Sequence, residues 1–321
     1  MKRVALLTFL LVWTAPAQQP AAERVKLAPQ FQPGQVLRYQ VDFRTRTESS
    51  SAGPVEDPQG ASALEVNIGM QVRLEVLPPT DTPAAEGAKQ GATPPVHFRA
   101  TYEKAAATLK ADSADPFAAE IEAFYKQLEG RSIEIFVGPG KVVTDLSGMG
   151  DLAQDQRAGS AHEWLTQLLR GIRSPAEGVT IGQAWSREEP VPNAPLAGMV
   201  WRTVSTYLRN EGCSALEVIQ DPDEPCAVVL TRFEMTRHDA AADPTPPDYK
   251  ERGLRTSGSL TGTGESLSYV SLRTGLLVGA TQTAAEEMNL TVTSTAAQSR
   301  VQYQGRVAST SHVRLMPPST R

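Results

Sequence analysis

Aromatic residues make up only 6% of this 321-residue chain, too few for the stacking platforms that hold sugars or nucleic-acid bases. Nowhere do five like charges run together, and the formal net charge is −5. A basic nucleic-acid surface and a polybasic membrane patch are both excluded on that account. Beyond the first residues there is no apolar run near the roughly 20 residues that a helix needs to cross a bilayer. Histidines number four and cysteines two, and none has the close spacing from which a metal site is read. No cofactor is expected.

The usual catalytic signatures are missing as well. There is no G-x-S-x-G, no phosphate-binding G-x-x-x-x-G-K-[ST] and no C-x-x-C. His162-Glu163 begins like a zincin helix, but Thr166 stands where the second zinc-binding histidine belongs. Gly262-Thr263-Gly264 continues without a third glycine and reads as a turn at a strand edge. His97 alternates onto a polar face, His238 lies in an acidic loop, and His312 sits in the last strand. Asp221-Pro222-Asp223-Glu224 lacks the glycine and the distant glutamate of a calcium loop and reads as a tight acidic turn. Glu188-Glu189 is an acidic pair of the kind that faces solvent, with no base, oxyanion site or ligand set around it. The expectation is a protein that is not an enzyme.

What is present begins with MKRVALLTFLLVWTAPAQQ. Lys2 and Arg3 give a charged start, Val4 to Trp13 a short apolar run, and Ala15-Pro16-Ala17 the small residues before a cut. Residues 1–17 therefore read as a signal peptide and 18–30 as a flexible leader. No cysteine stands near the cut to take a lipid. The expected place is the periplasm or the extracellular medium, as a soluble, non-lipidated protein.

The dominant pattern is alternation. In LEVNIGMQVRLEVL (64–77), Val66, Ile68, Met70, Val72 and Leu74 share one face while Asn67, Gln71, Arg73 and Glu75 share the other. VLRYQVDFRTRT (36–47) and VHFRATYE (96–103) repeat it. Such alternation marks antiparallel strands with one buried face. A strand over 64–77 runs about 45 Å at about 3.4 Å per residue, long enough that its sheet must twist and curl. Helical spacing interrupts twice. Asp115-Pro116 opens a stripe of Phe117, Ile121, Phe124 and Leu128, ended by Gly130. Ser160-x-x-Glu163 reads as a capping box before Trp164, Leu165, Leu168 and Leu169. Between them, IEIFV-GPG-KVVTDL (133–146) reads as a hairpin. Strands return at 199–209, 226–236, 264–272, 276–294 and 301–316.

These elements predict an α+β, mainly β fold: a large curved antiparallel sheet of long strands, with the two amphipathic helices packed on its apolar face. The β-rich domain is placed at 31–316. GQVLR at 34 and GMVWR at 198 hint at two related halves, 31–172 and 178–316. Stretches 48–62, 78–95 and 237–250, rich in Pro, Ala, Gly and charge, read as disordered loops.

Cys213 and Cys226 can oxidise in an exported protein. If 213–220 and 226–233 formed a plain hairpin, the two would stand about 24 Å apart at about 3.4 Å per residue. A disulfide needs Cα atoms roughly 4.4–6.8 Å apart, so hairpin and bond exclude one another. A second capping box, Ser214-x-x-Glu217, allows a helical turn inside a closed loop and favours the bond.

The signal peptide, the long strands and the hairpin IEIFVGPGKVVTDLSG, with GVTIGQAW and SYVSLRTGLLVGAT, resemble a domain-of-unknown-function family of exported bacterial proteins. The resemblance covers about 130–280 and rests on turns and packing positions. It implies an envelope β domain and no activity. The layout also resembles, in architecture alone, the curved half-barrels of periplasmic lipoprotein carriers. The function expected is thus non-enzymatic binding or interaction outside the cytoplasm. An apolar ligand or an envelope protein is the expected partner. Val66, Ile68, Met70, Val72 and Leu74 are expected beneath the helices, as filled core or as the floor of an oily cleft. An outer-membrane β-barrel, or an enzyme without a recognisable site, stands as the alternative.

Overall fold

The computed structural model describes residues 23–53, 62–78, 95–111, 116–138, 141–154, 156–191, 194–213, 224–238, 243–294 and 299–317. Residues 1–17, read above as an export signal, lie outside these. So do residues 54–61 and 79–94 of the two earlier excursions, and residues 214–223 between the cysteines.

Eleven strands form a single antiparallel sheet. In chain order they are β1 Val36–Ala52, β2 Ser62–Val76, β3 Val96–Ala111, β4 Ser132–Gly138, β5 Lys141–Asp145, β6 Ala184–Pro190, β7 Met199–Gly212, β8 Pro225–Arg237, β9 Leu254–Ser271, β10 Leu277–Ser294 and β11 Ser299–Leu315. Across the sheet they run β5-β4-β3-β2-β1-β11-β10-β9-β8-β7-β6. The chain winds from β1 out to one edge, re-enters at the opposite edge, and returns to pair β11 with β1 at the centre. The mainly β architecture read from the alternation is the one observed.

The pleat sorts each strand into an inner and an outer face. On the inner face, Leu37, Tyr39, Val41 and Phe43 of β1 stand opposite Leu74, Val72, Met70 and Ile68 of β2. Ala100 and Tyr102 of β3 continue the rows of Leu74 and Val72, and Phe98 stands opposite Val76. Helix α1, Pro116–Leu128, and helix α2, Gln156–Arg170, lie on this surface, with 3-10 turns over Ser147–Gln154 between them. Phe124 and Leu128 of α1, Met149 and Leu152 of the turns, and Leu165 and Leu169 of α2 all enter the same core as β1 to β4. Each such side chain removes about 1.5–3 kcal/mol of apolar surface from water. Tyr39 and Tyr102 sit so deep that burial pushes their phenols well above the usual range.

Three readings of local structure change. Helix α2 begins four residues before Ser160, so Ser160 is an interior helical position and not the residue that opens the helix. The leader expected to stay flexible through residue 30 is anchored: Val25 bridges Val179, and Leu27 is fully buried with Tyr207, Val229 and Val270. Of the loop expected at 237–250, residues 239–242 lie outside the described set, and 243–250 pack. There Thr245 is buried against Thr256, and helix α3, Pro247–Glu251, follows.

Two turns are built alike. In one, the Gln35 N–H donates to Gln32 O and Gly34 N–H to Val76 O; in the other, Gln183 donates to Thr180 and Gly182 to Tyr207. In both, the glutamine Oε1 accepts from the backbone N–H three residues earlier, at 3.1 Å. Gly34 and Gly182 share a positive φ, near 80°, where a side chain is strained. Gly182-Gln183, leading into β6, is thus built like Gly34-Gln35; Gly198 of GMVWR also has a positive φ, 77°, but its carbonyl accepts from the His238 N–H.

Candidate functional site

The inner-face rows of Ile68, Val66 and Leu64 continue across the seam with different chemistry, whereas the row of Met70 and Val41 continues as core to Val229 and Tyr207. One row runs Trp185 (β6), Ser205 (β7), Thr231 (β8), Ser266 (β9) and Gln282 (β10). The next runs Arg187, Thr203, Phe233, Gly264, Ala284 and Ser309 of β11, and the third Glu189, Trp201, Met235, Gly262 and Glu286. Above these rows stand Glu163, Thr166, Gln167 and Arg170 of α2 and the link Gly171–Arg173. Spaced three and four residues apart, those four share one stripe of α2, turned away from the stripe of Leu165 and Leu169 that enters the core. The space between helix and sheet is an open cleft of about 610 Å³, within the roughly 300–1,000 Å³ typical of small-molecule sites.

The floor owes its shape to two glycines. A Cβ on Gly264 would come within 2.3 Å of the Phe233 ring, and one on Gly262 within 2.8 Å of the Trp201 ring. With neither Cβ present, both rings lie down over β9 and meet edge to face at 5.6 Å. Gly262 and Gly264 therefore sit inside an 18-residue strand; the strand-edge turn read at Gly262-Thr263-Gly264 is corrected. Ser205 and Thr231 share a hydroxyl hydrogen bond of 2.8 Å beside the rings.

Charge gathers at the β6 end. Arg173 pairs with Glu189, Arg187 reaches the same carboxylate at 3.4 Å, and the Trp185 Nε1–H donates to Arg173 O at 3.0 Å. Burial, then the charges of Arg170 and Arg187, lower the Arg173 guanidinium from its ordinary value. Near the opposite end of the third row, desolvation raises the Glu286 carboxyl above its ordinary value. Glu188, the neighbour of Glu189, points to the outer face beside His238. Glu189 and Glu286 are four strand spacings apart, about 19 Å along the sheet at about 4.8 Å each.

Of the residues singled out in the sequence, Met70, Val72 and Leu74 are buried in the helix-covered core, whereas Val66 and Ile68 are only half-buried. The helices cover the rows from Met70 to Val76 and leave those from Leu64 to Ile68 nearer the rim. Met70, Val72 and Leu74 are thus filled core, the first of the two arrangements expected for this face; an inner-face cleft lies across the seam, over β6 to β11. A trough of about 460 Å³ does touch Ile68, but Asp42, Arg44, Asn67 and His312 line it too. Cys213 and Cys226 form a disulfide with Cα atoms 5.1 Å apart. It sits at the base of the 214–223 excursion, where Gly212 faces Pro225. Residues 221–223 of the acidic turn lie outside the described set, and Glu224 holds Arg273 at 3.2 Å. Among the described residues no group of three or more His, Cys, Asp and Glu could hold a metal ion.

The sequence could not announce the cleft, because its residues come from six strands and one helix. The signals that were present are Gly262 and Gly264 inside an alternating run, and Trp201 and Phe233 on the strands to which it pairs.

No family model matches the chain, and no curated protein does. Among solved structures it is similar to a lipovitellin described for its lipid–protein interactions, at 13% identity and a TM-score of 0.44, over 91% of this chain and 26% of that one. A second is the outer membrane protein OprG from Pseudomonas aeruginosa, at 7% identity and a TM-score of 0.19, over 91% of this chain and 99% of that one. Likenesses this weak carry neither fold nor function across.

Proposed function

We propose that this chain is a non-enzymatic binding protein of an extracytoplasmic compartment, and that it holds a small ligand in the cleft over β6 to β11. The observation that carries the reading is the contrast within one face. Helices seal the inner face of β1 to β4 from Met70 to Val76, while beyond the seam the rows that prolong Leu64 to Ile68 stay open with two half-buried aromatic rings on their floor. Half-buried rings beside hydroxyl and charged groups are what a specific small-molecule site uses: apolar area for affinity and a few polar groups for orientation.

The disulfide supports an oxidising compartment. Chemistry on a substrate is disfavoured by the carboxylates. Glu189 is held by arginines, Glu188 faces the other way, and Glu286 stands too far off to share a bond with Glu189. A membrane barrel is disfavoured by the sheet itself, whose edges β5 and β6 are at opposite ends of the strand order. Its outer face carries Arg44–Glu65, Arg73–Glu75, Arg306–Glu287 and Arg314–Asp42 where lipid would require an apolar band.

Native mass spectrometry on protein purified from its own envelope tests the reading. The expected result is a retained mass in the wild type that is absent from Ala284→Phe, whose ring fills the floor, at an unchanged thermal midpoint. No retained mass, or one that survives Ala284→Phe, removes the cleft as the site.

A further inference from the structure

The charged end of the cleft is unevenly balanced. Arg170, Arg173 and Arg187 all line it; Arg173 and Arg187 pair with Glu189, and Arg170 lies near enough to Arg173 for its charge to act there. Arg170 makes no ion pair among the described residues. The other acids of the cleft are remote: Glu163 stands two turns earlier on α2, about 10 Å along its axis, and Glu286 lies four strands from Glu189. A structural account covers part of this. Arg170, in the last turn of α2, meets the negative end of the helix dipole, and Arg173 with Glu189 is a surface-type ion pair. It does not account for Arg173 standing in the field of both Arg170 and Arg187 with Glu189 the one carboxylate paired there. Like charges brought that close raise the energy of the empty site, and an incoming anion relieves it.

Beside this corner the chemistry changes at once. Trp201 stands in register with Glu189, and Phe233 follows Thr203 in the row of Arg187. A ligand seated on the arginines therefore has its next few ångströms of length laid over two aromatic faces and Ala284. We propose that the cleft takes an amphiphile with one anionic head, whose oxygens sit among Arg170, Arg173 and Arg187 and whose apolar body lies across Trp201 and Phe233. Guanidinium is the right donor for such a head, because its planar fork meets the paired oxygens of carboxylate, phosphate or sulfate. This rests on the cleft being a ligand site, and adds the sign and shape of what fills it.

Isothermal titration with dodecyl phosphate below its micelle concentration, dodecan-1-ol and inorganic phosphate separates the parts. The expected result is that dodecyl phosphate binds at least tenfold more tightly than either of the others, and weakens as salt is added. In Arg170→Gln/Arg187→Gln that preference over dodecan-1-ol falls towards unity, with dodecan-1-ol binding and the thermal midpoint unchanged. Arg170→Gln alone, at a position that makes no ion pair among the described residues, loses part of it and serves if the double variant folds poorly. Equal binding of dodecyl phosphate and dodecan-1-ol, or a preference that survives the double variant, overturns the anionic head while leaving the cleft in place. Inorganic phosphate binding as tightly as dodecyl phosphate overturns the apolar body. Failure of all three to bind overturns the cleft reading along with this one.

Discussion

On the inner face of β1 to β4 the rows from Met70 to Val76 are core beneath helices; across the β1·β11 seam the rows that prolong Leu64 to Ile68 are a wall of a cleft. The strands do not differ in kind, for both sides alternate and both are antiparallel. What differs is the supply of helix. The β3–β4 and β5–β6 connections carry α1, the 3-10 turns and α2, and these bring Phe124, Leu128, Met149, Leu165 and Leu169 to the face. The strands beyond the seam are covered at their ends alone. Leu27 and Val179 close one end, and Leu196 with Met199 closes the other. Between those ends the inner rows turn to Ser, Thr, Gln and Gly. A sheet face becomes core only where a second layer reaches it, and residue chemistry follows that layer row by row.

The sharpest way to break the comparison is to place one charge on each side. Val72 has no exposure, so Val72→Asp strands an unpaired carboxylate and the folded signal in circular dichroism is lost. Ser266→Asp, on the cleft floor, is expected to cost no more than about 1 kcal/mol by urea denaturation. Ile68→Asp, half-buried near the rim, falls between the two. If Ser266→Asp unfolds the protein as Val72→Asp does, the two sides are not different.

The same contrast exists within one helix. Leu165→Ala empties core and is expected to cost about 2–5 kcal/mol. Thr166→Ala, one residue on and facing the cleft, changes stability by at most about 0.5 kcal/mol. Reduction of Cys213–Cys226, with a sequence separation of 13, is expected to cost about 2–3 kcal/mol, read as a lower urea midpoint. The smallest effect belongs to Glu286. Its carboxyl is raised by desolvation from a usual 4.5, so the folded state holds the proton more tightly than the unfolded one. Wild-type stability therefore falls as pH rises through that interval. Glu286→Gln should melt above the wild type at pH 7, with the gap closing below about pH 4.5; a gap independent of pH would sink the assignment.

Much of this sheet was legible in the residues. Alternation at 36–47 and 64–77 gave the inner and outer faces of β1 and β2, and helical spacing gave α1. A helical turn read at Ser214-x-x-Glu217 favours the Cys213–Cys226 bond over a plain hairpin; the bond is observed, and that turn lies outside the described residues. What alternation cannot carry is coverage. It groups Ile68 with Val72, yet the layer above ends between them, and no local pattern encodes where a helix stops. Gly262-Thr263-Gly264 misled for a related reason. Within β9 two glycines look like a break, and their purpose appears only when Phe233 and Trp201 arrive from the strands beyond. The leader misled because Val25 and Leu27 find their partners some 150 residues later, at Val179 and beyond.

The seam also sets an order of events. Tyr39 lies opposite Leu315, so β1 waits for β11, the last strand of the sheet. Until then β1, β2 and β3 can assemble with their helices, but one side of β1 remains a bare edge, 17 residues long. Pairings so distant in the chain are slow to form, and a long unpaired edge recruits other chains. A nascent or half-emerged copy is therefore the sticky form of this protein. Whatever escorts it has to keep that edge apart from its neighbours until β11 arrives.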